Sequence, residues 1–238
     1  MDIPSSTSDA LYDEVHAIMM KELLTFFKTD VQEFESEVPY NYYGNRGSVD
    51  LVWYHTIERA RLQVLTMFEL ESRILRLEEL IRKLKDRMEY FPSQFEQARG
   101  LPKLGSVQLF LILFSTQENW NVVSEYLSVF KAAFVRTHQV FPKDILSVTK
   151  DPNDDRFHWQ LKNSFLVFFD PLKVRQLEIN EGITIHEEAL PFHRSTAFRW
   201  IESWSDSMDS LQSRLNLIKP SFSNARQFRI AYREYVDS

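Results

Sequence analysis

Apolar side chains recur every three or four positions over residues 10–28 (Leu11, Val15, Ile18, Met19, Leu23, Phe26, Phe27), which predicts a helix behind the capping residues Ser8 and Asp9. Residues 31–38 alternate Val31, Phe34 and Val38 with carboxylates, a short strand pattern. Residues 39–47 hold a proline, two asparagines and two glycines and read as a turn or loop. Residues 48–55 (SVDLVWYH) form a strand interrupted only by Asp50, and residues 61–70 (RLQVLTMFEL) a second, so the short polar link between them predicts a hairpin. At Ser72 the period changes. Ile74, Leu77, Ile81, Leu84 and Met88 make one helical stripe over 72–90, and Pro92 ends it.

Further along, residues 107–114 (VQLFLILF) are almost wholly apolar, as in a strand covered on both faces. A helix over 121–134, a strand over 164–169 and short strand pairs within 173–185 follow. Ile201, Trp204, Met208, Leu211, Leu215 and Ile218 predict a helix over 196–218, stopped by Pro220. Trp200, Trp204 and Met208 on or near one side of it would dock on the sheet or form a homodimer contact. The order of elements implies an α/β fold, a mixed central sheet with helices on both faces. Residues 1–170 would form its core and residues 171–238 a mainly helical extension, as a separate unit or as part of one body.

Composition narrows the function classes. The chain has 238 residues, 44% hydrophobic and 26% charged, which is globular. It has no cysteine, which removes disulfides, thiolate zinc sites and a cysteine nucleophile. Its five glycines are too few and wrongly spaced for a Walker loop or a dinucleotide fingerprint. A formal charge of −6 means that nucleic acid, if bound, must be held by a local basic patch. No apolar run reaches the roughly 18 residues of a membrane helix. The acidic, polar start is unlike a signal peptide, so a cytoplasmic location is expected.

Three carboxylates stand out against this background. Asp50 lies amid Val49, Leu51 and Val52, while Glu69 and Glu71 close an apolar strand and, two residues apart, share a face. The hairpin would bring Asp50 beside them. Three such acids repel one another without a cation, and a hard divalent ion such as Mg²⁺ or Mn²⁺ suits the oxygen donors; a rim of solvated acids has the same spacing.

The run Gly44-Asn-Arg46-Gly-Ser-Val-Asp50, a spacer of 18 residues and then Glu69-Leu70-Glu71 resembles the PD-(D/E)XK nuclease superfamily. Its members place the Asp on one strand and E-x-K on the next, with a helix directly after. The resemblance covers about residues 8–135 and implies a restriction-endonuclease-like fold and metal-dependent hydrolysis of phosphodiesters in DNA or RNA. Carried over, Asp50, Glu69 and the Leu70 carbonyl would hold the ion, completed by Glu14, with Glu22 as the rival and Glu37 as another contributor. The departure from the family is Glu71, which stands where the motif has lysine. Glu71 could act as base or extra ligand, Lys83 from the following helix could fill the lysine's place, or the fold could be kept for binding without chemistry. Arg46, Arg73 and Arg76 are the candidate nucleic-acid contacts; Arg73, Arg76, Lys83 and Arg87 would share a helix face, or simply pair with acids in solvent. Tyr40, Tyr42 and Tyr43 would stack on bases or pack over the sheet. The spacing of His186-Glu187-Glu188 and His193 around Pro191 argues against a zinc site.

Overall fold

Strand pairing organises the chain. The computed structural model describes residues 6–27, 34–42, 44–57, 62–101, 104–137, 161–176, 196–201 and 204–238. Its strands are β1 (Phe34–Tyr42), β2 (Asn45–Ile57), β3 (Leu62–Glu71), β4 (Ser106–Phe114), β5 (Leu161–Phe169) and β6 (Phe198–Ile201), and they lie in that order in one sheet. β1, β2 and β3 are antiparallel neighbours, β3, β4 and β5 are parallel, and β6 runs antiparallel to β5.

Helices cover both faces. On one lie α2 (Leu77–Glu89), α3 (Phe91–Arg99), α4 (Gln117–Glu125), α5 (Leu127–Thr137) and α7 (Met208–Leu217), sharing a core with Leu65, Met67, Leu109 and Leu111. On the other lie α1 (Ser6–Phe27), α6 (Pro171–Gln176) and α8 (Ala225–Val236), packed with Leu51, Phe68, Phe110 and Phe114. β4, between the two, is buried along nearly its whole length, which explains its unbroken apolar run. The fold is therefore α/β with a mixed sheet, as expected. β6 joins the same sheet and α8 packs beside α1, so the described residues after 171 share both cores. No helix among the described residues is long and apolar enough to cross a membrane.

Several elements differ from their sequence patterns. The expected loop over 39–47 is mostly strand: β1 reaches Tyr42 and β2 starts at Asn45, with Gly44 turning the chain at φ +89°. Pro39 is tolerated because β1 is the sheet edge, where a missing N–H breaks no ladder. The helix expected over 72–90 begins only at Leu77, because buried Asn119 captures the preceding segment: its Oδ1 accepts from Ile74 N (3.1 Å) and its Nδ2 donates to the Ser72 carbonyl (3.2 Å). Pro92 starts α3 rather than merely ending α2, since a proline in the first turn sacrifices no helical bond. The helix expected over 121–134 is two, divided at Tyr126.

The largest difference is at 196–218. Its first part is strand β6, whose Phe198 and Ile201 are buried against β5. A helix starts only behind Ser207, whose Oγ accepts from Ser210 N (3.2 Å). Trp204 is buried, stacked on Phe134, and donates to the Ser164 carbonyl, so no continuous helix face with Trp200 and Met208 exists to carry the expected homodimer contact. Of the expected strand pairs within 173–185, residues 173–176 belong to α6 and the rest lie outside the described residues. His186, Glu187, Glu188 and His193 lie outside them as well, as does Tyr43.

Candidate functional site

Alternation along β3 sets the site. Leu65 and Met67 face the α2 side of the sheet, and Glu69 and Glu71 continue that series, while Phe68 and Leu70 face α1. β2 pairs with β3 from Ile57–Leu62 to Leu51–Phe68; one further step of this register sets Asp50 opposite Glu69, where the ladder stops. There Asp50 Oδ2 accepts from Leu70 N at 2.7 Å. On the other flank Asp50 lies opposite Glu37, an exposed residue at φ +52° that leaves the β1–β2 ladder at that position.

Helix α2 brings the counter-charges. Lys83 Nζ is 2.7 Å from Glu69 Oε2, 2.9 Å from Glu71 Oε1 and 3.9 Å from Asp50 Oδ2. One turn on, buried Arg87 donates from Nε to Glu69 Oε1 (2.7 Å) and from its other nitrogens to the Ser48 carbonyl (2.6 Å) and the Tyr40 hydroxyl. Three carboxylates thus meet two cations, a formal surplus of one negative charge. Glu69 is fully buried, and burial together with the Asp50 charge pushes its carboxyl up to about 7 despite Lys83 and Arg87. Burial alone would lower the Lys83 ammonium, but Glu69, Asp50 and Glu71 together hold it above the ordinary lysine value. Burial is the chief cause for Glu69, while the three carboxylates around Lys83 outweigh its burial and keep its proton in place.

Asp50, Glu69, Leu70, Glu71 and Lys83, all singled out from sequence, are thereby brought together. Glu14 is not. It lies on α1, across the sheet, where its carboxylate contacts Arg233 and Arg229 of α8. Its rival Glu22 also lies on that face, buried, with Oε1 accepting from Arg175 Nε (2.6 Å) and the Tyr232 hydroxyl (2.5 Å).

Arg73 and Arg76 precede α2, so they do not share a helix face with Lys83 and Arg87. Arg73 sits over the Tyr12 ring at 5.0 Å, and Arg76 pairs with Glu79 at 2.8 Å. Both still line a hollow of about 480 Å³ with Glu71, Glu79, Arg82 and Lys83, open to one side of the carboxylates. Arg46 is exposed on β2, before Asp50. Tyr40 packs over the sheet. Sequence reasoning placed Arg87 on a basic face without seeing that it clamps Glu69, and it missed Asn119; Arg87's position four residues after Lys83 is the signal that points to the first.

The donors suit a hard divalent ion in kind: carboxylate oxygens on one face around a common cation position. In their described places they surround the Lys83 ammonium instead, and among the described residues no three acidic or histidine side chains are spaced to hold a metal ion. Comparison of the chain with family models, with curated proteins and with solved structures finds no match to any of them.

Proposed function

We propose that the chain is a nuclease-type phosphodiester hydrolase with a restriction-endonuclease-like core, acting on DNA or RNA in the cytoplasm, and that Lys83 does the work of the motif lysine. One observation carries this reading: Lys83 Nζ stands within 3.9 Å of all three acids, beside Glu71, which occupies the position of the motif lysine. The order α1, three antiparallel-linked strands, α2 and α3, then β4 parallel to β3 agrees with it.

Lys83, partly open to the basic hollow, would balance charge on the scissile phosphate, with Arg73, Arg76 and Arg82 receiving the flanking backbone. Glu71 also lines the hollow and would take the proton of the attacking water as the phosphorus–oxygen bond to the leaving group breaks. Asp50, Glu69 and the Leu70 carbonyl would hold Mg²⁺ or Mn²⁺, which supplies phosphate polarisation and a more acidic water when bound. Arg87 fixes Glu69 from behind.

Incubation with single- and double-stranded DNA and RNA plus Mg²⁺ or Mn²⁺ tests this. Cleavage by the wild type that disappears in Asp50→Ala and in Lys83→Ala is the expected result. No wild-type cleavage of any substrate, or cleavage unchanged in Asp50→Ala, would overturn it. A second reading, a nuclease-fold module that binds without cutting, is favoured by the complete burial of Glu69 between Lys83 and Arg87. Oligonucleotide binding without turnover would select it.

A further inference from the structure

We infer that Lys83 is the resident cation of this site, and that a divalent ion binds the Asp50 and Glu69 carboxylates, beside Glu71, only by displacing its ammonium. The inference rests on reading these acids as a cation site, but it does not need turnover. The ammonium lies 2.7 Å from Glu69, 2.9 Å from Glu71 and 3.9 Å from Asp50. The bond to Glu71 Oε1 has the length of a charge-assisted hydrogen bond, and Glu69 Oε2 is held as an ion pair. An ammonium nitrogen stands farther from its oxygens than Mg²⁺ or Mn²⁺ does, and among the described residues no three acidic or histidine side chains are spaced to hold a metal ion.

Burial points the same way. Glu69 is fully buried and its Oε1 is held by Arg87, so its remaining oxygen, Oε2, can take one cation, and Lys83 has it. Oε2 makes no directional hydrogen bond and is held by Lys83 through charge at 2.7 Å. Charge balance defines the exchange. With Lys83 in place, the acids and Arg87 sum to one negative charge. If a divalent ion replaced the ammonium, the same residues would sum to zero. An ion that entered while Lys83 stayed would leave a positive excess in a largely buried site, which is the costlier outcome. Lys83 can leave because its side chain is 28% exposed and opens to the hollow of about 480 Å³ that Arg76 and Arg82 also line. The ammonium that would steady a phosphate in that hollow is therefore the one that vacates the metal position.

Calorimetric titration with Mn²⁺ alone, without nucleic acid, tests the exchange. The wild type should bind weakly, near about 10⁻³ M, the weak end for oxygen-ligand sites. Lys83→Met, which keeps the side-chain bulk and removes the charge, should bind at least tenfold tighter at one ion per chain. Lys83→Arg, which keeps the charge, and Lys85→Met, which removes an exposed charge from the same helix, should stay within about twofold of wild type. A gain of less than tenfold in folded Lys83→Met, or an equal gain in Lys85→Met, overturns the inference. Should Lys83→Met not fold, the wild type decides: a dissociation constant tighter than about 10⁻⁴ M overturns the inference, and a weaker one sustains it. Absence of cleavage by a wild type whose Lys83→Met variant gains the ion would sink the hydrolase and leave this exchange standing.

Discussion

The Tyr40 ring lies against Gly47, its partner across the β1–β2 ladder, so closely that a Cβ on the glycine would stand 2.8 Å from Tyr40 Cε1. Gly47 has no left-handed backbone; it is glycine because the ring needs the space. The ring in turn presents its hydroxyl to Arg87, which holds Glu69. The turn expected over residues 39–47 counted both glycines among the residues that bend the chain. Only Gly44 turns it, and Gly47 acts through Tyr40.

Gly47→Ala should therefore destabilise the protein by about 1–3 kcal/mol, the usual cost of forcing bulk into a packed contact. In a Tyr40→Val background most of that cost should vanish, because the atoms it would strike are gone. Urea denaturation of the four proteins in this cycle measures the coupling. Equal costs in both backgrounds would show that the ring is not the obstacle.

Arg87 is the costlier residue to lose. Arg87→Met leaves the buried Glu69 with one cation fewer and leaves the Ser48 carbonyl without that donor, so a loss of about 3–5 kcal/mol is expected. Adding Glu69→Gln should recover part of the loss by removing the charge that Arg87 balances. Denaturant midpoints and slopes for the single and double variants settle the point; no recovery would mean that Arg87 acts by packing alone.

Acidity offers a separate check. The Glu69 carboxyl moves from an ordinary 4.5 up to about 7, chiefly through burial. The folded protein then holds this proton more tightly than the unfolded chain does. Its contribution to stability is full below pH 4.5 and is lost as pH rises through about 7. Relative to Glu69→Gln, which cannot titrate, wild-type stability should fall by about 3 kcal/mol across that window. Denaturation at a series of pH values in metal-free buffer reads this directly, and a flat or rising difference contradicts it.

How much of this was legible follows from the range of the interactions. Period two placed Asp50, Glu69 and Glu71 on their strands, and period three-four placed Lys83 on the helix behind them, because each pattern is local. The Asn119 clasp on Ser72 and Ile74 links positions far apart in the chain, so nothing near Ser72 announced that α2 would start late. Glu14 had the right residue type on the right helix, but its orientation depends on Arg229 and Arg233, more than two hundred residues away. In 196–218 the period of Phe198 and Ile201 fits a helix and also a short edge strand. The β5 edge decided between them, and the Ser207 cap that marks the true helix start was readable but lay inside the apparent stripe.

Nucleic acid in the basic hollow makes a last measurable demand. Arg76 pairs with Glu79 on the surface, with both side chains more than half exposed, a pairing of little worth that a phosphate can replace. Arg82 lines the same hollow. If each arginine meets one phosphate, replacing both with alanine should reduce the slope of log affinity against log salt by about 1.5 to 2. The weakening should be similar for unrelated oligonucleotide sequences, because phosphates carry no base identity. Stability should change by no more than about 0.5 kcal/mol, since both changes are at the surface. Fluorescence anisotropy over a salt series, with denaturation as the control, measures all three. An unchanged slope in a double variant that folds normally would take the backbone out of this hollow.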